Sequence, residues 1–102
     1  MTLQELMNFE EKLLLCEYNN KFTMEFSDYI ILDNFLTDVE KITNLYFHLI
    51  DQYKKHLNKE NINNEKRIEL LNLFNQKLLK EKINFDFTKY DNFITKYNIG
   101  EK

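Results

Sequence analysis

The chain has no proline and a single glycine, Gly100. Those two residues do most to interrupt a helix or sharpen a turn. Without them, helices run until their apolar pattern ends or until Asn, Asp and Ser supply a turn. Nothing in the sequence reads as a flexible linker, so residues 1–102 are read as one domain. A chain of this length buries one modest core.

Hydrophobic spacing then assigns the elements. Leu3, Leu6, Met7, Leu13 and Leu14 recur at helical intervals and predict a first helix over residues 2–17, with Thr2 and Glu5 as a capping box. Asn19-Asn20 reads as a turn. Lys21–Phe26 alternates strictly, with Phe22, Met24 and Phe26 on one face, and predicts a short strand. Ser27 is the expected N-cap of a second helix reaching about Leu57. Its seam, Leu32, Leu36, Val39, Thr43, Tyr46, Ile50, Tyr53 and Leu57, alternates steps of four and three as in a coiled coil. Phe35, Ile42, Leu45 and Leu49 widen that face. Asn58–Asn64 is polar and reads as a loop.

A third helix is expected from about Asn63 to Lys80, antiparallel to the second. Ile83-Asn84-Phe85-Asp86-Phe87 alternates again and predicts a second strand. If helices two and three form a hairpin, the two strands lie at the same end and pair. A last helix follows, capped by Thr88 with Asp91 as its box partner and closed by Gly100 at C′. The expected fold is therefore α+β, mainly α. A long antiparallel helical hairpin is closed by a two-stranded antiparallel ribbon, and terminal helices pack on it.

Function is approached by exclusion. One glycine leaves no phosphate-cradling loop and no dinucleotide fingerprint. His48 and His56 are eight apart, which rotates them by about 80° and separates them by about 12 Å on a helix, too far for one metal. Cys16, the only cysteine, forms no internal disulfide and suits a reducing compartment. Glu10, Glu11, Asp86 and Asp91 have no visible acid–base partner. No catalytic, cofactor-binding or metal-binding residues are assigned, and an enzyme is not expected. No signal peptide or membrane-spanning run is visible, so a cytoplasmic protein is expected.

Charge carries the remaining signal. Residues 1–40 hold nine acidic residues against two lysines, a net −7, whereas residues 41–102 carry a net +4. With one arginine and a pI near 5.4, direct nucleic-acid binding is not favoured, despite small lysine groups at Lys54-Lys55, Lys77, Lys80 and Lys82. The acidic half suggests carboxylates offered to a basic groove in place of phosphates. Glu25, Asp28, Asp33, Asp38 and Glu40 are the candidate partner-binding residues. The expected partner is another protein, such as a host nuclease or defence complex.

The layout supplies one resemblance. It is carried by the opening helix from Leu3-Gln4-Glu5-Leu6, the segment Lys21–Phe26, and a long helix ending Leu49-Ile50-Asp51-Gln52-Tyr53. Leu73-Phe74-Asn75-Gln76-Lys77-Leu78-Leu79 then leads into Ile83–Phe87. In this order the chain resembles a family of short phage-borne helical proteins of unknown function. The resemblance implies a phage or mobile-element origin, in keeping with the AT-rich coding suggested by abundant Asn, Lys, Ile and Phe. It carries no site residues. The expected function is a small non-enzymatic protein-binding factor, with inhibition of a host defence nuclease, anti-CRISPR-like, as its concrete form. The alternative is a phage structural or assembly protein resembling a tail chaperone, since the heptad-like seam also admits self-association.

Overall fold

A computed structural model of the chain describes residues 1–100. Four α-helices follow one another: α1 (Leu3–Asn19), α2 (Phe26–Lys59), α3 (Asn64–Leu79) and α4 (Asp91–Lys96). A 3-10 turn, Thr88–Tyr90, leads into α4.

Each boundary has a local cause. Thr2 and Glu5 form the expected capping box at the start of α1, the Glu5 N–H donating to Thr2 Oγ1 at 3.2 Å and the Thr2 N–H to Glu5 Oε1 at 2.9 Å. Asn63 Oδ1 accepts the Lys66 N–H at 2.8 Å and opens α3. The only arginine closes α2. Arg67 Nε and Nη2 donate to the Leu57 and Glu60 carbonyls, satisfying acceptors the helix end leaves open. Ser27 is not the N-cap of α2; that position is Glu25, without a side-chain bond. Nor does Thr88 cap the last helix. Asp86 Oδ1 instead accepts the Thr88 N–H at 3.0 Å and its hydroxyl. At the far end of α4, Asn98 rather than Gly100 takes the left-handed C′ position, with φ 54°. The Ile99 N–H reaches back to the Ile94 carbonyl at 3.0 Å, the six-to-one bond of a Schellman motif.

The architecture follows from helix lengths. The 34 residues of α2 span about 51 Å, whereas the 17 of α1 and the 16 of α3 span about 26 and 24 Å. The two short helices therefore lie end to end along one long one, and the molecule measures 54 × 25 × 22 Å. Where they meet, the Leu3 N–H donates to the Glu81 carbonyl at 2.9 Å. The Ile83 N–H donates to the Met1 carbonyl at 2.8 Å, around a single bridge between Thr2 and Lys82.

This geometry overturns the expected ribbon. The fold is all-α, with no strand among the described residues. The chain leaves α3 halfway along α2, whereas Lys21–Phe26 lies at the far end of α2. The difference in helix length leaves the end of α3 about 27 Å short of the start of α2 along the axis, and the segment that follows reaches back only as far as Phe35, beside which the Phe85 and Phe87 rings lie. Lys21–Phe26 closes on itself instead: the Thr23 and Met24 N–H groups both donate to the Asn20 carbonyl, at 3.0 and 2.9 Å. Ile83–Phe87 remains extended, and its alternation has a different use. Ile83, Phe85 and Phe87 each lay a half-buried side chain on the core.

That core fills one half of the molecule. Leu6, Leu13 and Cys16 from α1 meet Leu32, Phe35, Leu36 and Val39 from α2. Tyr90, Phe93 and Ile99 of the C-terminal segment close over them. Phe35 is its centre, with the Tyr90 ring stacked on it at 4.0 Å. The expected seam of α2 is therefore turned inward along its whole length, fully buried from Leu32 to Tyr46 and at Leu57, half-buried at Ile50 and Tyr53.

Candidate protein-binding groove

The five acidic residues picked out in the sequence have separate fates. Asp28 is buried, 7% exposed. Lys96 Nζ donates to its carboxylate at 2.7 Å and the Tyr97 hydroxyl at 2.5 Å. These two donors, Lys96 first, hold the Asp28 carboxyl below its ordinary value. Burial, reinforced by Asp28, pushes the Tyr97 hydroxyl up to about 12. Asp38 repeats the arrangement. It accepts from the Tyr90 hydroxyl and from Lys89 Nζ at 3.2 Å, with Lys41 at 3.7 Å, and its carboxyl is lowered in turn. Both carboxylates thus pin the C-terminal segment to α2.

The sequence carried a signal for these pins. Thr88-Lys89-Tyr90 recurs as Thr95-Lys96-Tyr97, seven residues later, and each Lys-Tyr pair takes one aspartate of α2. The cleft beside the first pin is lined by Ile31, Asn34, Asp38, Lys89, Tyr90 and their neighbours. Its charged groups are already paired with one another.

Glu25, Asp33 and Glu40 face solvent. Asp33 and Glu40 lie on the outer side of α2, in the stripe Phe26, Ile30, Asp33, Thr37, Glu40. Glu17 of α1 joins Phe26, Tyr29, Ile30 and Asp33 around one open depression. Glu11, Leu14, Leu15 and Tyr18 surround a second depression on α1. Farther along, Glu10 Oε2 accepts the hydroxyl of buried Thr43 at 3.1 Å, which sets the register between α1 and α2. Burial raises the Glu10 carboxyl above its ordinary value; the Thr43 bond opposes this, and Glu40 and Glu11 add to it.

The result is a groove between two antiparallel helices. Glu10 and Glu17 of α1 and Asp33 and Glu40 of α2 lie nearest the line where the two helices meet. Leu14 and Tyr18 on α1 and Phe26 and Ile30 on α2 stand farther out and are exposed. No lysine or arginine lines either depression. At the open end Phe22 is 90% exposed, Phe26 79% and Tyr18 67%. Lys21 Nζ sits 4.7 Å from the Tyr18 ring centre and 5.1 Å from that of Phe22, so a cation already covers part of these faces. Sequence reasoning had assigned Phe22 and Phe26 to a buried strand face and so missed them as surface. The exposed spacing 26, 30, 33, 37, 40, beside the buried seam, is the pattern that marks the outer stripe.

Elsewhere the chemistry is plain. Burial raises the Cys16 thiol away from its reactive thiolate form. No cluster of His, Cys, Asp or Glu among the described residues is placed to hold a metal ion. No helix among them is long and apolar enough to cross a membrane. No family model, curated protein or solved structure matches this chain.

Proposed function

We propose that this chain is a small non-enzymatic binding factor of phage or mobile-element origin, acting in the host cytoplasm by occupying a basic surface on a protein partner. Inhibition of a defence nuclease, in the manner of an anti-CRISPR protein, is the concrete form. The observation that carries the reading is the depression between α1 and α2 where Glu17 and Asp33 lie beside Phe26, Tyr29 and Ile30, with rings as exposed as Phe22 and Phe26 at its open end. Large apolar side chains left in water beside unpaired carboxylates are typical of a docking surface. Carboxylates along such a groove can occupy cationic sites that otherwise hold phosphates. Asp28 and Asp38 drop out of the contact set because their charges are met internally. Glu25, Asp33 and Glu40 remain, joined by Glu10 and Glu17.

The test is affinity capture from host lysate with the tagged chain and with a Glu17→Lys/Asp33→Lys variant, read by mass spectrometry. The expected result is a host nuclease or defence complex recovered in stoichiometric amount with the parent chain and lost with the variant. Recovery of virion proteins alone, or recovery that the variant leaves unchanged, overturns the reading. The assembly alternative has lost its motive, since the seam that suggested self-association is covered by the chain's own α1 and α3.

A further inference from the structure

We propose that two copies of the chain pair through one face of the α2–α3 hairpin, helix pair on helix pair, as a four-helix bundle with two-fold symmetry. The inference does not rest on the acidic depression, which lies on the other flank of α2. The buried seam of α2 takes no part; its uncovered edge does.

Three observations converge. First, the face is bare where its continuation is covered. Ile31, Asp38 and Leu45 are seven apart, as are Phe35, Ile42 and Leu49, so both sets run along one flank of α2. In the first half of the helix the C-terminal segment lies on that flank: Tyr90 stacks on Phe35, and Lys89 and Tyr90 line a cleft with Ile31 and Asp38. The same lines then emerge into solvent, with Leu45 60% and Leu49 42% exposed.

Second, α3 brings apolar surface to the same side. Lys54 and Asn58 share a depression with Ile68 and Leu71 on the opposite side of the hairpin. Turning the other way round each helix leads from the Tyr53–Phe74 contact to Leu49 and Leu45 on α2 and to Leu70 and Leu73 on α3. Tyr53, Phe74 and Leu70 are half-buried and lie nearest the line where the helices meet. Leu45 and Leu73 stand farther out, Leu73 55% exposed. Lys77 stands among them, and its stem can lie on the leucines with the ammonium in water.

Third, size and charge fit a second copy. The 16 residues of α3 make the face about 24 Å long, and two helices make it about 20 Å wide. That is about 480 Å² per copy and close to about 1,000 Å² for the pair, the lower limit of a specific interface. A single helix, about 10 Å across, would cover the middle and leave Leu45 and Leu73 at the edges in water. The hairpin of a second copy covers the whole width. The other cations of the face are already met, His56 lying 3.8 Å from Glu60 and Lys66 3.7 Å from Glu69, so it offers little to an acidic partner or a phosphate backbone.

The test is sedimentation equilibrium of the full chain over a range of concentrations. At this contact area the pair is expected to be reversible, with the mass of one chain at about 1 μM and approaching that of two at about 500 μM. Leu45→Glu/Leu73→Glu is expected to remain a single chain throughout, since a two-fold contact meets every substitution twice. Both positions are more than half exposed, and an unchanged circular dichroism spectrum verifies the fold. The milder Leu45→Gln is expected to weaken pairing at least about fivefold, and it carries the test if the double variant loses helix. Glu17→Lys/Asp33→Lys is expected to pair as the parent does. A parent chain that stays single at about 500 μM overturns the proposal. A pair that the leucine variants leave intact, or that Phe26→Glu dissociates instead, overturns the face. Capture from lysate depends on the opposite flank, so either reading can fail without the other.

Discussion

Along α2 one apolar seam meets two different environments. In its first half, α1 lies on one flank and the C-terminal segment on the other, and a cluster of ten fully buried residues forms. In its second half only α3 is available, and α3 contributes no fully buried residue at all. The Tyr53 and Phe74 rings, 4.2 Å apart, the Tyr46 hydroxyl on Asn75 and the Arg67 cap hold this hairpin together. Both halves of the seam carry large apolar side chains. What differs is the number of layers, because two helices cover only the line where they touch, whereas a third element closes the sides. Burial depth is a property of the assembly around a residue and only secondarily of the residue.

The contrast can be broken most forcefully at Phe35. Phe35→Ala removes the central ring of the body and should cost about 3–5 kcal/mol, measured as a lower urea midpoint with loss of the whole fold. Phe74→Ala, at a half-buried position, should cost about 1–2 kcal/mol. Its signature is local: faster amide exchange in residues 46–79 with protection in α1 retained. If Phe74→Ala instead lowers protection uniformly, the two halves unfold as one unit and the comparison fails.

Acid sharpens it next. The Asp28 and Asp38 carboxyls are held below their ordinary value of 3.8 in the folded chain. Their contribution is therefore full above that value and is lost as pH falls through the depressed folded values. At the alkaline end the sign reverses. Lys89, Lys96 and Tyr97 are raised, so their contribution is full below their ordinary values and is lost as pH rises, through about 12 for Tyr97. Urea midpoints should decline on the acid side, and Asp28→Asn/Asp38→Asn should flatten that decline. Phe74→Ala, with the pins intact, should keep it. The smallest effect belongs to the acidic residues of the groove. Glu17→Lys should change stability by no more than about 0.5 kcal/mol, because the side chain is exposed and makes no internal bond. A larger loss would make Glu17 part of the body.

Much of this was legible in the chain itself. The capping box at Thr2, the inward seam of α2, the loop after Lys59 and the start of α3 at Asn63 all follow from local chemistry and spacing. The ribbon was misjudged because alternation at Ile83–Phe87 reports which side chains face the core and does not report a pairing partner. Unequal helix lengths, already present in the apolar patterns, forbade that partner. Asp28 and Asp38 read as surface charge because their partners lie 51 to 69 residues away. Only the repeated Thr-Lys-Tyr hinted at a matched pair of acceptors. The groove was half visible: its acidity was plain, and its exposed apolar flank was hidden by the strand assigned to Phe22 and Phe26.

The closure of the core by residues 83–99 also sets an order of events during synthesis. When Leu79 has emerged from the ribosome, α2 and α3 can already zip together, since every contact they need has been made. Phe35 at that moment still has an open flank, and neither aspartate has its lysine and tyrosine. The body, which is the deeper half, becomes complete only after Ile99 follows. The shallow hairpin is therefore complete before the deeper body, and the nascent chain must carry an uncovered Phe35 for about twenty residues of elongation, on the order of one to four seconds at ribosomal speed.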